Sequence, residues 1–193
     1  MFAMNRRPAS RAFIAVLIAA AAPSLTGLSS LAAPAEPAAH LVPGDATRMA
    51  PQFTLTDINP RSSTHGETLS LSDLYSESGV ILNFIASWCA PCWGEAPDFQ
   101  KLRDEGKWPI VCVAADEHGP TEDLLRKAEQ AGLTLPILHV PRDEIAAMES
   151  LYDHAMLPAT YLIDTTGAIR EVLQGAITPS TLVDRAGRVL PRD

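Results

Sequence analysis

One stretch decides most of what this chain can become: "GVILNFIAS", Gly79 to Ser87, followed at once by "WCAPCWGEAP". The first segment is apolar almost without a break. It shows no polar alternation, which suits a strand buried on both faces rather than one with a wet side. Such a strand needs covering layers above and below it. The second segment starts one of them. Pro91 sits where a first-turn proline is tolerated, and "CWGEAPDFQKLRDE" reads as a helix, with Pro97 expected to kink it. Two cysteines, Cys89 and Cys92, therefore stand where a buried strand passes into a helix.

The rest of the chain repeats this alternation. "PIVCVAA" is a second buried strand, "TEDLLRKAEQAG" a helix with a Gly stop, and "LPILHV" a third strand. "DEIAAMESLYDH" is a helix with Ile145, Met148 and Tyr152 at compatible spacing. "ATYLID" and "AIREVLQG", joined by a turn at "TTG", make an antiparallel hairpin. "TPSTLVDRAGRVL" closes the chain as a helix, with Thr178 as N-cap and Pro179 in first position. Upstream, "QFTLTD" and "ETLSLSDL" alternate apolar and polar residues and form an added N-terminal β-hairpin, with Leu69 and Leu71 on one face of its second strand. This order predicts an α/β domain with a mixed central sheet flanked by helices on both faces. Right-handed crossovers gather the loops that follow its parallel strands at one edge, where ligands usually bind.

The N-terminal region reads differently. Arg6, Arg7 and Arg11 precede an apolar run, Ala12 to Ala22, and "AAPA" offers a cleavage pattern at Ala33 and Ala35. The run is about half the ~20 residues that cross a bilayer comfortably. Residues 1–35 are thus expected to be a cleaved signal peptide, with an uncleaved membrane anchor as the alternative. Residues 36–50, rich in Ala and Pro, read as a linker, and 51–193 as the folded domain. Cleavage after Ala35 removes three arginines and no acid, leaving 12 basic against 23 acidic residues, a balance of −11. A chain this acidic is a poor nucleic-acid binder. Export also places the cysteines in an oxidising compartment, the periplasm, where a Cys-x-x-Cys pair oxidises unless something reduces it.

At Cys89 the unpaired N–H groups and the dipole of the following helix favour thiolate over thiol. Cys92, one turn later, is within bonding reach. This suits a nucleophile that attacks a partner disulfide and a second thiol that resolves the mixed disulfide. Trp88 and Pro91 limit access and stiffen the turn. A purely structural staple is a poor reading, because bridging so few residues removes little chain entropy. Structural zinc wants four ligands, and only Cys112, in a buried strand, remains. Haem attachment needs His after Cys92, where Trp93 stands.

"NFIASWCAPCWGEAPDF" with the downstream "MLPATYLID" resembles the thioredoxin superfamily, in its TlpA/ResA-like branch of exported thiol–disulfide proteins. The likeness runs from about Pro51 to Val189. It implies a thioredoxin-like fold, with the N-terminal hairpin typical of the branch. It also implies that Pro158 is a cis-proline facing the cysteines, that Leu157 pairs its backbone with a substrate strand, and that Glu95 relays protons and tunes the resolving thiol. Asn83 stands where thioredoxin itself has a buried aspartate; it cannot titrate, so proton transfer falls to Glu95 or water.

The function expected is a protein disulfide oxidoreductase, a periplasmic reductase of specific disulfides in cytochrome c maturation or copper-site assembly. Its partners would be an exported cysteine-containing protein and a membrane-borne thiol donor. A monomer is expected, with no organic cofactor, no metal and no nucleic acid; the Cys89–Cys92 disulfide is itself the redox group. One rival is a general disulfide oxidant or isomerase. Another is a copper-binding chaperone using the two cysteines with His154 or Met156. Peroxiredoxin-type chemistry would need Thr at position 86, which is Ala86. Cys112 and His139 read as core groups, and Trp93 and Trp108 mostly as packing.

Overall fold

The computed structural model describes residues 40–43, 48–116, 118–119, 121–152 and 156–190. The expected signal segment, most of the linker and His154 lie outside these. The order is β1 (His40–Pro43), β2 (Thr54–Asp57), β3 (Thr68–Ser70), α1 (Leu71–Tyr75), β4 (Val80–Ile85), α2 (Ala90–Asp104), β5 (Ile110–Ala114), α3 (Thr121–Gln130), β6 (Ile137–His139), α4 (Ile145–Tyr152), β7 (Ala159–Ile163), β8 (Ile169–Gln174) and α5 (Pro179–Val189). The strands form one mixed sheet in the order β1-β8-β7-β4-β5-β6-β2-β3. Strands β4, β5 and β6 are parallel neighbours, and β7 runs antiparallel beside β4. As the sequence predicts, this is a thioredoxin-like α/β sheet with helices on both faces.

The pleat of β4 sorts its side chains strictly. Val80, Leu82 and Phe84 enter one apolar cluster together with Tyr152 of α4 and Leu71 of α1. Ile81 and Ile85 enter the other, with residues of α2, α3 and α5. Every β4 residue is buried, which accounts for a run broken only by Asn83. On the first side, Phe84, Tyr152 and Tyr161 pack in tilted and edge-to-face pairs with ring centroids 5.0–5.5 Å apart, and Tyr152 donates its hydroxyl to Pro51 O.

Three expectations are corrected. The alternation in "ETLSLSDL" does not continue as a strand: β3 stops at Ser70, whose hydroxyl accepts the Asp73 N–H and caps α1. Leu71 is then buried by the helix rather than by a strand face. Within the expected linker, His40–Pro43 forms an edge strand on β8. Main-chain pairing at an edge needs no side-chain periodicity, so nothing in "HLVP" announces it. His139 lies only half-buried at the end of β6, not in the core. As for Pro97, α2 continues through it to Asp104.

The N-terminal hairpin is fixed to the sheet by a buried acid. Asp57 accepts the N–H groups of Asn59 and Ile137 and the Thr64 hydroxyl at 2.8–3.0 Å. Replacing it by Ala leaves buried donors unpaired. Asp57→Ala should therefore cost about 2–4 kcal/mol in urea unfolding, with Asp57→Asn costing less because one acceptor oxygen survives. A loss under about 1 kcal/mol for the alanine variant would contradict this account.

Candidate active site

The end of β4 delivers the cysteines. The chain leaves the sheet at Ile85, Cys89 N–H donates to Ala86 O at 3.2 Å, and α2 begins at Ala90 with Pro91 in its first turn. Cys89 is the helix N-cap, a place usually held by an oxygen-bearing side chain. Its Sγ accepts the Cys92 N–H at 3.3 Å. The two residues are joined as a disulfide with Cα atoms 5.4 Å apart. They lie just under the surface, 2% and 1% exposed, while Trp88 beside them is 51% exposed. Trp93 packs back beneath the loop, its indole N–H shared between Ala86 O and Ser87 O.

The sheet register completes the site. Phe84 pairs with Ala159, which sets Pro158 at the same end of the sheet as the cysteines. The Leu157–Pro158 bond is cis, as the resemblance implies. Pro158 O accepts the Gly175 N–H, whereas no hydrogen bond among the described residues occupies the Leu157 main chain. Met156 is 55% exposed next to them.

Beneath the cysteines lies Glu95, one turn past Cys92 and buried. Asn83, on the α2-facing side of β4, donates to Glu95 Oε1 at 3.2 Å and to Thr160 Oγ1 at 3.0 Å. Ile177 N–H donates to Oε2 at 2.9 Å. Burial raises the Glu95 carboxyl from 4.5 to about 7, aided by Asp98 and opposed by the Ile177 and Asn83 bonds. A carboxyl poised there exchanges protons readily near neutral pH. Cys112 lies opposite Asn83 in the parallel register. Burial pushes its thiol far up, with Glu95 and Asp57 adding to the effect, which leaves it a core sulfhydryl.

Thus Cys89, Cys92 and Glu95 cluster together, with Trp88, Pro91, Leu157 and Pro158 at the same end of the sheet. Sequence reasoning missed Thr160, which aligns Asn83, and the Ile177 N–H. It also missed Asp116 and Lys127, which hold the main chain of Ser87. An acid in the loop after β5 was a readable hint for Asp116; nothing in the sequence pointed to Lys127. Among the described residues, no group of three or more His, Cys, Asp or Glu side chains is placed to hold a metal ion.

Comparison with known proteins fits this geometry. A sequence profile of the AhpC/TSA family matches residues 46–172. The thiol-disulfide oxidoreductase ResA of Oceanobacillus iheyensis is 36% identical over 150 residues, covering 77% of this chain and 73% of that protein. ResA of Geobacillus kaustophilus is 35% identical over 130 residues, covering 67% and 69%. Thio-disulfide isomerase from Thermus thermophilus shares the fold at a TM-score of 0.60 and 20% identity, over 79% of this chain and 99% of its own. The chain belongs to the AhpC/TSA family and is a thioredoxin-like thiol–disulfide oxidoreductase of the ResA type, with Cys89–Cys92 as its Cys-x-x-Cys pair.

The raised Glu95 carboxyl carries a stability signature. Between pH 4.5 and about 7 the folded protein keeps a proton that the unfolded chain releases. The contribution of the neutral carboxyl is therefore complete below pH 4.5 and lost as pH rises through about 7. Urea midpoints of the native protein should fall between pH 5 and pH 8 relative to those of Glu95→Gln. Parallel pH curves for the two proteins would mean that Glu95 ionises as an ordinary surface acid.

Proposed function

We propose that this oxidoreductase works outside the cytoplasm as a reductase for a narrow set of protein disulfides, of the kind met in cytochrome c maturation or copper-site assembly. The observation that carries this reading is the Cys92 N–H donating to Cys89 Sγ at the start of α2. In the reduced protein that donor and the helix dipole stabilise a Cys89 thiolate. The thiolate attacks one sulfur of a partner disulfide. A Cys89–partner S–S bond forms, the partner's own S–S bond breaks, and its second sulfur leaves as a thiolate that takes up a proton. Cys92 gives its proton to Glu95, directly or through water, and attacks Cys89 Sγ. The Cys89–Cys92 disulfide closes as the Cys89–partner bond breaks; the partner sulfur leaves as a thiolate and takes up a proton, so that the partner departs as a dithiol. Two electrons have passed to the partner, and a membrane-borne thiol donor restores the pair.

Recognition falls to the surroundings. Trp88 and Pro91 border the pair, and the Leu157 main chain offers itself to an extended partner strand beside Pro158. The basic and apolar pattern of residues 1–35 supports export to the periplasm, by cleaved signal or retained anchor. We read the protein as a monomer that needs no organic cofactor, since the disulfide is the redox group.

Trapping tests the assignment. Cys92→Ala should accumulate a mixed disulfide through Cys89 with its exported partner, identified by mass spectrometry, and Cys89→Ala should accumulate none. The reverse pattern would exchange the two roles. A measured potential near about −120 mV, typical of strong oxidants, would replace the reductase reading with that of a disulfide-forming enzyme.

A further inference from the structure

The main chain that delivers Cys89 is gripped from outside α2. Ser87 is buried. Its N–H donates to Asp116 Oδ2 at 2.7 Å, and its carbonyl accepts Lys127 Nζ at 2.6 Å. Asp116 follows β5 and Lys127 lies on α3, so the two reach Ser87 from different elements. The acid is itself fixed: its Oδ1 accepts the N–H groups of His118 and Gly119 at 3.3 and 2.9 Å. Burial works to raise its carboxyl, but these bonds and those from Ser87 hold it below the ordinary value. The loop rests so closely on Ser87 that a Cβ on Gly119 would come within 2.3 Å of the Ser87 hydroxyl oxygen. Neither charge belongs to the Cys-x-x-Cys motif or to the cis-proline segment.

We propose that Asp116 and Lys127 are positioning residues that clamp the main chain at Ser87 and set the nucleophilicity of Cys89 with opposite signs. This rests on the reading of Cys89 as the attacking thiol. The Lys127 ammonium, bonded two residues before Cys89, favours the thiolate. The Asp116 carboxylate, bonded to the N–H of the same residue, disfavours it. Both also hold the loop, so removing either loosens it. Geometry and charge can nevertheless be told apart. Loosening moves Cys89 the same way for both variants, whereas charge moves it in opposite directions. Among the described residues, the other charged or titratable groups here are Glu95 of α2, the Asp123–Arg126 pair of α3, Arg142, which donates to Gly119 O at 3.2 Å, and His118, whose ring lies 6.1 Å from that of Trp88. The described residues of the cis-proline segment, Met156 to Pro158, carry no charge.

The test is the pH dependence of iodoacetamide alkylation of the reduced protein, with peptide mapping to show which sulfur reacts. Lys127→Gln should shift the Cys89 midpoint upward and slow alkylation below it roughly two- to fivefold, the scale of a partly exposed charge pair. Asp116→Asn should shift the midpoint downward and speed alkylation by a similar factor. Lys127→Arg should restore native behaviour, which guards against a glutamine variant that merely folds poorly. Unmoved midpoints, or two shifts of the same sign, overturn the clamp while leaving Cys89 as nucleophile. First alkylation at Cys92 in the native protein instead overturns the assignment of attack, and the clamp with it.

Discussion

Helix α2 begins on a sulfur. The Cys92 N–H that would otherwise be orphaned at the helix start is met by Cys89 Sγ, so one bond serves both the fold and the chemistry. Everything else at the site follows from keeping that sulfur in place. Strand β4 must be buried on both faces to act as a fixed post for the helix. The loop after it must be short, so that sheet and helix cannot drift apart. In the mechanism proposed above, the same donor and the helix dipole favour negative charge on that sulfur once the disulfide opens.

The pleat of β4 then selects what lies beneath. Asn83 falls on the α2-facing side because its neighbours Ile81 and Ile85 do, and the parallel register sets it opposite Cys112. Thr160 comes from the antiparallel neighbour and fixes the amide, which in turn meets Glu95. The second carboxyl oxygen is taken by the main chain at Ile177, just before α5. A single acid therefore joins a central strand, the helix that bears the cysteines and the approach to the last helix. Its burial raises its affinity for protons to near neutral pH, which supports the proton-accepting role proposed for it. Burial pushes Cys112 in the same direction and much further, so it stays a protonated core thiol.

Much of this was legible in the residues. The apolar run 79–87, the cysteine spacing and the alternating strand and helix signals were enough to lay out the parallel core and the junction at Cys89. The cis geometry at Pro158 and the place of Glu95 were not legible from periodicity; they came from likeness to a family. What escaped both routes depends on register or on main-chain groups. The Thr160–Asn83 bond exists only because β7 is aligned residue by residue with β4. The Ile177 donor is a backbone atom and has no side-chain signature. Lys127 reaches the site from a helix whose sequence reads as an ordinary amphipathic surface helix. The early end of β3 was hidden because Ser70 satisfies both an alternating strand pattern and a helix cap.

The two rims of the sheet differ from its interior in a way that bears on life at high local concentration. One rim is β3, only three residues long; the other is β1, which finishes on Pro43 and so has no N–H there to offer a further strand. Among the described residues, neither presents a long flat ladder for a neighbouring molecule to extend. Borders so short and so poor in free donors give an approaching strand little to pair with, which disfavours aggregation by extension of the sheet.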